Sequence, residues 1–163
     1  MNPRVQAILN FWFEETPPEK RFKKDESFDL LIRNKFLSDY EKASNNELND
    51  WKLNAKSSLA LVILFDQFSR NIFRNDKKAF SQDFKTREIV YNAIDSGFLD
   101  EMSQSEKFFM ILPLIHSEEI KDHEIAYSLL DKHLRDHPGL KDIKKFWEDH
   151  TCLLYTSPSP RDV

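Results

Sequence analysis

Apolar residues recur along most of the chain at steps of three and four positions, the period of an amphipathic helix. Alternating runs of β-branched residues are few, and the chain holds only two glycines, Gly97 and Gly139. Both features argue against a sheet protein. The pattern therefore predicts an all-α fold of seven helices, each of roughly 10 to 20 residues. Short turns between them are typical of antiparallel helical hairpins.

The boundaries of the predicted helices follow from breaks in this period. Prolines and clusters of small polar residues supply the breaks, and Pro113 is expected to kink or stop the fifth helix. Asp76 is a candidate N-cap for the fourth helix, and Gly97 is expected to end it. The stretch Ser103-Gln104-Ser105-Glu106 has the pattern of a capping box at the start of the fifth helix. The predicted helices cover residues 3–13, 27–43, a segment beginning near 57, 76–97, 103–112, 116–135 and 140–150.

Each predicted helix has a face that should be buried. The third is apolar on nearly all sides between Leu59 and Phe68, so we expect it at the centre of the fold. The predicted inward residues are Val5, Ile8, Leu9 and Trp12 in the first helix and Phe28, Leu31, Ile32 and Phe36 in the second. In the fourth helix they are Phe80, Phe84, Val90, Tyr91 and Ile94.

Length and charge narrow the class of protein. A chain of 163 residues fits one domain, which we expect to span residues 1–150. A net charge of −4 leaves no global basic field for nucleic acid. The start of the chain lacks a signal-peptide pattern, and the longest apolar run is too short to cross a bilayer. The lone Cys152 fits a reducing compartment. We therefore expect a soluble cytoplasmic protein with no membrane partner; the oligomeric state stays open.

The end of the chain differs in character from the rest. Residues 151–163 show no helical stripe and contain two Ser-Pro steps, which favour extended chain. The string from Cys152 to Asp162 also resembles translated sequencing-adapter peptides. We therefore expect this tail to be artefactual, or else disordered, and to lie outside the fold.

Charged residues sit at helical spacing directly after the central apolar run. Asp66, Arg70 and Arg74 fall at i, i+4 and i+8, and Gln67 and Asn71 form a neighbouring pair. Burying a charge without a partner is costly, so a buried Asp66 requires Arg70 or another cation.

Two interpretations of these charges are open. In the structural one, which we favour, Asp66 with Arg70 and Asp83 with Arg87 form ion pairs that hold neighbouring helices in register. In the functional one, arginines bind a phosphate or carboxylate bidentately, and Asp66 orients them.

A second polar cluster spans His116, Glu118, Glu119 and His123. On one helix, His116 and His123 would lie about 10 Å apart along the axis, too far for easy convergence on a metal. No Gly-rich phosphate loop or Cys-x-x-Cys pair occurs, and the sequence predicts neither metal nor cofactor. His116 is a candidate acid or base because an imidazole titrates near neutrality, with Glu118 as a further ligand-binding candidate. A core histidine is the favoured interpretation.

These residues resemble a bacterial family known as domain of unknown function 924. The likeness covers about residues 5–150, and its most specific parts run from Asp66 to Asn71 and from Pro113 to Glu118. It also rests on Phe11-Trp12-Phe13, Phe28-Asp29, Phe36, Trp51, Phe80 and Asp83. The resemblance implies a tetratricopeptide-like all-helical fold and no established activity. Family members usually carry Gln in place of His123 and continue past His150 into Phe-Gly-Arg-Phe-Pro-His-Arg-Asn, so we expect a C-terminally incomplete domain.

Two functions of different class follow from these observations. The first is a binding or scaffold module with a protein or peptide partner, because helical-hairpin folds usually present a concave surface to a peptide. The second is an enzyme or binder for a small anionic ligand, a phosphate or carboxylate. In that hypothesis Asp66 and His116 are catalytic, and Arg70 and Arg74 bind the anion. The further ligand-binding candidates are Gln67, Asn71, Asp83, Arg87 and Glu118.

Overall fold

The structure is a computed structural model that describes residues 2–154, excluding the side chains of residues 150 and 152–154. Seven helices and no strand occur in this part of the chain, which confirms the predicted all-α class. Two of the helices contain a π-helical turn: α1 covers Pro3–Leu9 and is extended by such a turn over Asn10–Glu15, and α3 covers Ala55–Val62, a π-helical turn over Ile63–Phe68 and a last turn over Ser69–Ile72. The other five are α2 (Glu26–Ser44), α4 (Asp83–Asp95), α5 (Gln104–Ile115), α6 (Ile120–His133) and α7 (Leu140–Leu154). Short 3-10 turns cover Pro18–Lys20, Asn49–Leu53, Lys77–Phe80 and Phe98–Glu101.

The chain divides into two compact units between Glu101 and Met102. In the first unit, α3 packs against α1, α2 and α4. Every residue from Ser58 to Ser69 is buried, which confirms α3 as the centre of this unit. In the second unit, α6 packs against both α5 and α7. The predicted single domain over residues 1–150 stays a prediction.

The fourth predicted helix begins later than expected. Asp76 does act as a cap, but its side chain accepts from the Lys78 N–H and starts the 3-10 turn Lys77–Phe80. The chain leaves helical geometry after this turn, so the phase predicted from Phe80 is lost. Phe84 is consequently 69% exposed, and the buried face of α4 is Thr86, Ile89, Val90 and Ala93. Gly97 ends the segment with φ at +76°, as its position predicts.

Three further boundaries and one inward residue differ from prediction. Helix α5 continues through Pro113 to Ile115, although Pro113 has no N–H to donate to the carbonyl four residues earlier. Helix α6 starts only at Ile120, so His116 and His123 do not share one helix as predicted. Helix α7 extends four residues past the predicted end, and residues 155–163 of the expected tail lie outside the described residues. On α2, Leu31 is 42% exposed beside the buried Ile32.

The capping box predicted at the start of α5 is present. The Ser103 hydroxyl accepts from the Glu106 N–H at 3.2 Å, and the Glu106 carboxylate accepts from the Ser103 N–H at 2.9 Å. Ser103→Ala should lower the free energy of unfolding by about 1 kcal/mol, because it leaves a helix-start N–H without its acceptor. Urea denaturation measures this loss. Ser103→Thr, which keeps the hydroxyl, should restore most of it, and an unchanged midpoint for Ser103→Ala would contradict the prediction.

Candidate functional site

The first polar cluster begins inside the π-helical turn of α3. The Ser69 N–H donates to the carbonyl of Leu64, five residues earlier, which is the bond that defines such a turn. Asp66 is 3% exposed and Gln67 is 5% exposed, so both predicted site residues lie in the interior. Turns of this kind are rare and occur frequently at functional sites.

Asp66, Gln67 and Arg70 contact one another through both side chains and backbone. The Gln67 side-chain amide donates to the Asp66 carboxylate at 2.8 Å. The Arg70 Nε donates to the backbone carbonyl of Asp66 at 3.0 Å, and its guanidinium lies 5.7 Å from the centre of the Phe80 ring. Arg70 is thus held between the π-helical turn and the 3-10 turn that follows α3.

Arg74 does not continue the predicted stripe, because α3 ends at Ile72. It instead forms a bidentate ion pair with Asp29 of α2: Nε lies 3.0 Å from Oδ2, and Nη2 lies 2.8 Å from Oδ1. The Asn71 side-chain amide donates to the same carboxylate at 2.9 Å. The hydrogen bond to Asp29 raises the pKa of Arg74 above its ordinary value, although partial burial opposes the rise.

Helix α2 thus holds the end of α3 at two points. The second point is Arg33, whose guanidinium donates to the carbonyl of Ile72, the last residue of α3, at 3.1 Å. Sequence reasoning proposed no role for Asp29 or Arg33, since each lies about forty residues from its partner. The sequence signal for a role of Asp29 was its position next to Phe28, a predicted inward residue, in a pair that also carries the family resemblance. We call Asp29, Asn71 and Arg74 the Asp29 cluster.

Asp83 and Arg87 occupy the first turns of α4. Burial raises the pKa of Tyr40 on α2, and the negative charge of Asp83 acts in the same direction, which places Asp83 near that phenol. The ion pair expected between Asp83 and Arg87 stays a prediction.

The second polar cluster lies in the second unit, where its member His123 is buried together with Ser117 and Asp122. The Ser117 hydroxyl donates to the Asp122 carboxylate at 2.5 Å and accepts from the Glu119 N–H at 3.0 Å. His123, which is fully buried, has Nε2 at 2.8 Å from the Ser117 carbonyl and Nδ1 at 2.7 Å from the Thr151 hydroxyl. Because a carbonyl only accepts, Nε2 carries a proton. His123 is therefore a core histidine with both ring nitrogens bonded.

The remaining predicted residues of this cluster lie at its edge. His116 follows the end of α5 and donates its backbone N–H to the Leu112 carbonyl, and Glu118 is exposed. Both belong to the second unit, whereas Asp66, Arg70 and Arg74 belong to the first. Among the side chains that the structure describes, no three of His, Cys, Asp or Glu form a group suited to a metal ion.

Open grooves occur elsewhere on the first unit. The Trp51 groove, about 420 Å³, lies at the start of α3 between Trp51, Asn54, Lys56 and Phe98. The Leu53 groove, about 360 Å³, lies between Leu53, Ile89, Asn92 and Phe98. A third, about 530 Å³, follows the outer face of α2 along Arg33, Leu37 and Glu41. None of these three is lined by Asp66, Arg70 or Arg74.

No helix within the described residues has the length and apolar character needed to cross a membrane.

Comparison with known proteins agrees with the resemblance seen in the sequence. A family model described as a bacterial protein of unknown function (DUF924) matches residues 8–155. The solved structure of a protein of unknown function, ATU0120 from Agrobacterium tumefaciens, is 32% identical to this chain. The match covers 87% of this chain and 82% of that one, with a TM-score of 0.75. The curated proteins contain no match. The chain therefore belongs to the DUF924 family of bacterial proteins of unknown function.

Proposed function

We propose that this protein is a binding module whose first unit holds an extended peptide segment of another protein. The observation that carries this proposal is the meeting of two grooves at one side chain. Phe98 lines both the Trp51 groove and the Leu53 groove, and residues of the 3-10 turn Asn49–Leu53 also line both. A peptide lying across Phe98 would occupy both.

The groove walls have the chemistry that peptide recognition requires. Leu53 is 73% exposed beside the second groove and offers an apolar contact. Asn54 offers its side-chain amide in the Trp51 groove, and Asn92, whose amide nitrogen donates to the Lys52 carbonyl, offers its side-chain oxygen in the Leu53 groove. The walls combine apolar side chains such as Phe98 with polar and charged ones such as Asp50 and Glu101, so a peptide can make both kinds of contact.

The use of the charged residues inside the fold supports a binding module over an enzyme. Arg74 binds Asp29 through two nitrogens, and both ring nitrogens of His123 are bonded. These contacts support a structural role for Arg74 and His123, although the structural interpretation of the sequence named other pairs, Asp66 with Arg70 and Asp83 with Arg87. The pairing of α5 with α6 and of α6 with α7 supports a tetratricopeptide-like scaffold of hairpins, which we include in the proposal.

A peptide array probed with the whole chain tests the proposal. For a peptide found there, Leu53→Ser and Phe98→Ala should each weaken binding about tenfold, because each removes an apolar contact. Fluorescence anisotropy of the labelled peptide measures the change. Leu30→Ser is the matched control, since Leu30 is 57% exposed on α2 and lines neither groove. Turnover of a small molecule with no peptide bound would reject the proposal, as would equal weakening by the control.

The π-helical turn of α3 favours one second candidate, a binder or enzyme for a small phosphate or carboxylate. It places the buried Asp66 and Gln67 directly before Arg70, in a backbone geometry frequent at functional sites. A thermal-shift screen against inorganic phosphate and short carboxylates tests it. A stabilising anion whose effect disappears in Arg70→Lys would support this candidate, because lysine keeps the charge but cannot bind bidentately. No shift with any anion would remove it.

A further inference from the structure

An ordered loop between α1 and α2 presents an aromatic side chain to solvent. The loop covers residues 17–24, and we call it the Phe22 loop. Phe22 is 68% exposed, and Lys20, Lys23 and Lys24 beside it are also exposed. A single exposed apolar side chain is common on protein surfaces and needs no explanation. Phe22 differs because lysines surround it in the chain and because the loop is held in place.

The structure fixes the loop at both ends and in the middle. At its start, the buried Thr16 donates its hydroxyl and its N–H to the Phe11 carbonyl. In the middle, the Arg21 guanidinium donates to the carbonyls of Trp12 and Phe13 at 3.2 and 3.3 Å. At its end, the Asp25 carboxylate caps α2 by accepting from Ser27 and Phe28. The loop conformation is therefore set before any partner arrives, which lowers the entropy cost of binding.

These contacts also separate the loop's charges into two groups. Arg21 and Asp25 are engaged with the ends of α1 and α2. Lys20, Lys23 and Lys24 are exposed beside Phe22, and Lys20 acts on the Asp25 carboxylate by charge alone. The result is an apolar tip whose exposed charges are three lysines and one carboxylate, that of Glu19, and the rim is therefore basic overall.

We propose that the Phe22 loop is a docking site for an acidic segment of a partner protein that carries an apolar side chain. Phe22 makes the apolar contact, and the three lysines attract the carboxylates. Aromatic residues are enriched among those that dominate interface energies, and charged rims accelerate and orient association.

The surrounding charges favour a narrow acidic segment over a broad anionic membrane surface. Glu14, Glu15 and Glu19 are exposed immediately before the lysines, and the chain carries a net charge of −4. A membrane would meet these carboxylates as well as the lysines and would be repelled by them, whereas a short segment meets the tip alone.

This surface is separate from the grooves of the proposed function. Val5 lines the Trp51 groove, whereas Arg21 fixes the loop to the carbonyls of Trp12 and Phe13 near the other end of α1. At 1.5 Å per residue these points are about 10 Å apart along the helix. The docking site thus goes beyond the proposed function, and either can fail without the other.

The test uses the whole chain and a fluorescein-labelled synthetic peptide, Glu-Asp-Leu-Phe-Asp-Glu, followed by fluorescence anisotropy at low salt. The wild-type chain should bind, and added salt should weaken binding because exposed charges are screened. Phe22→Ser should weaken binding about tenfold or more, and so should the combined K20E, K23E and K24E variant. A peptide with lysine at each acidic position should not bind.

Phe84→Ser is the matched control, because Phe84 is 69% exposed in the same unit but follows Asp83. It should bind the peptide as the wild type does. No binding by the wild type, or equal weakening by Phe84→Ser, would overturn the proposal. Co-sedimentation with phosphatidylserine vesicles distinguishes a peptide partner from a membrane. If Phe22→Ser weakened binding to the vesicles but not to the peptide, the partner would be a membrane and the proposal would fail. Circular dichroism melts establish that each variant is folded.

Discussion

Replacing Phe68 by alanine is expected to lower the free energy of unfolding by about 3 to 5 kcal/mol. Phe68 has no exposed surface, and its ring stacks on Phe36 at 4.7 Å between centroids. It also meets Phe11 and Trp12 edge to face at 5.9 and 5.6 Å. Alanine would leave a cavity among rings contributed by α1, α2 and α3, and packed neighbours cannot fill it without strain.

Guanidinium denaturation followed by tryptophan fluorescence measures this loss, because Trp12 lies against Phe68. Phe84→Ala provides the control, since Phe84 is 69% exposed and loses almost no burial. It should leave the midpoint nearly unchanged. A Phe68→Ala variant as stable as this control would contradict the packing described for the first unit.

The aromatic contacts show what hydrophobic periodicity can predict. Trp12, Phe36 and Phe68 each occupy a predicted inward or central position, and each is buried. Periodicity succeeds here because the face of a helical residue depends only on its position in an uninterrupted helix. The capping box of α5 could also be predicted from local sequence, because it depends on two residues only three positions apart.

Periodicity fails where the helix itself changes. The π-helical turn of α3 adds a residue to one turn, so positions beyond it rotate away from the predicted stripe. Arg74 also lies beyond the end of α3 at Ile72, and it pairs with Asp29. The irregular backbone around Ser81 displaced Phe84 from the core in the same way. Local sequence contains no strong signal for either irregularity.

The chemistry of the candidate site was foreseen only in part. Burial of Asp66 followed from the apolar run before it, and the structure confirms that burial. The partner of Arg74 did not follow, because choosing among distant carboxylates requires the packing of α2 against the end of α3. The grooves that meet at Phe98 were also invisible, since their walls come from separate segments.

Replacing Asp29 by alanine is expected to lower the free energy of unfolding by about 2 to 4 kcal/mol. The Asp29 side chain is 12% exposed and accepts three hydrogen bonds, two from Arg74 and one from Asn71. Its loss leaves a largely buried amide and a partly buried guanidinium without their acceptor. The cost of those unmet groups exceeds the net gain of the original bonds. Urea denaturation of the wild type and variant measures the difference.

The matched control is Asp131→Ala, which breaks the exposed ion pair between Lys144 and Asp131. Exposed ion pairs contribute little to stability, so the urea denaturation midpoint of Asp131→Ala should stay close to that of the wild type. A structural role for the Asp29 cluster further predicts that Asp29→Leu combined with Arg74→Met is more stable than Asp29→Ala alone, because the double change leaves no uncompensated charge. If Asp29→Ala and Arg74→Ala both left stability unchanged, these charges would not hold α2 to α3. The anionic-ligand hypothesis would then become the better account of Arg74.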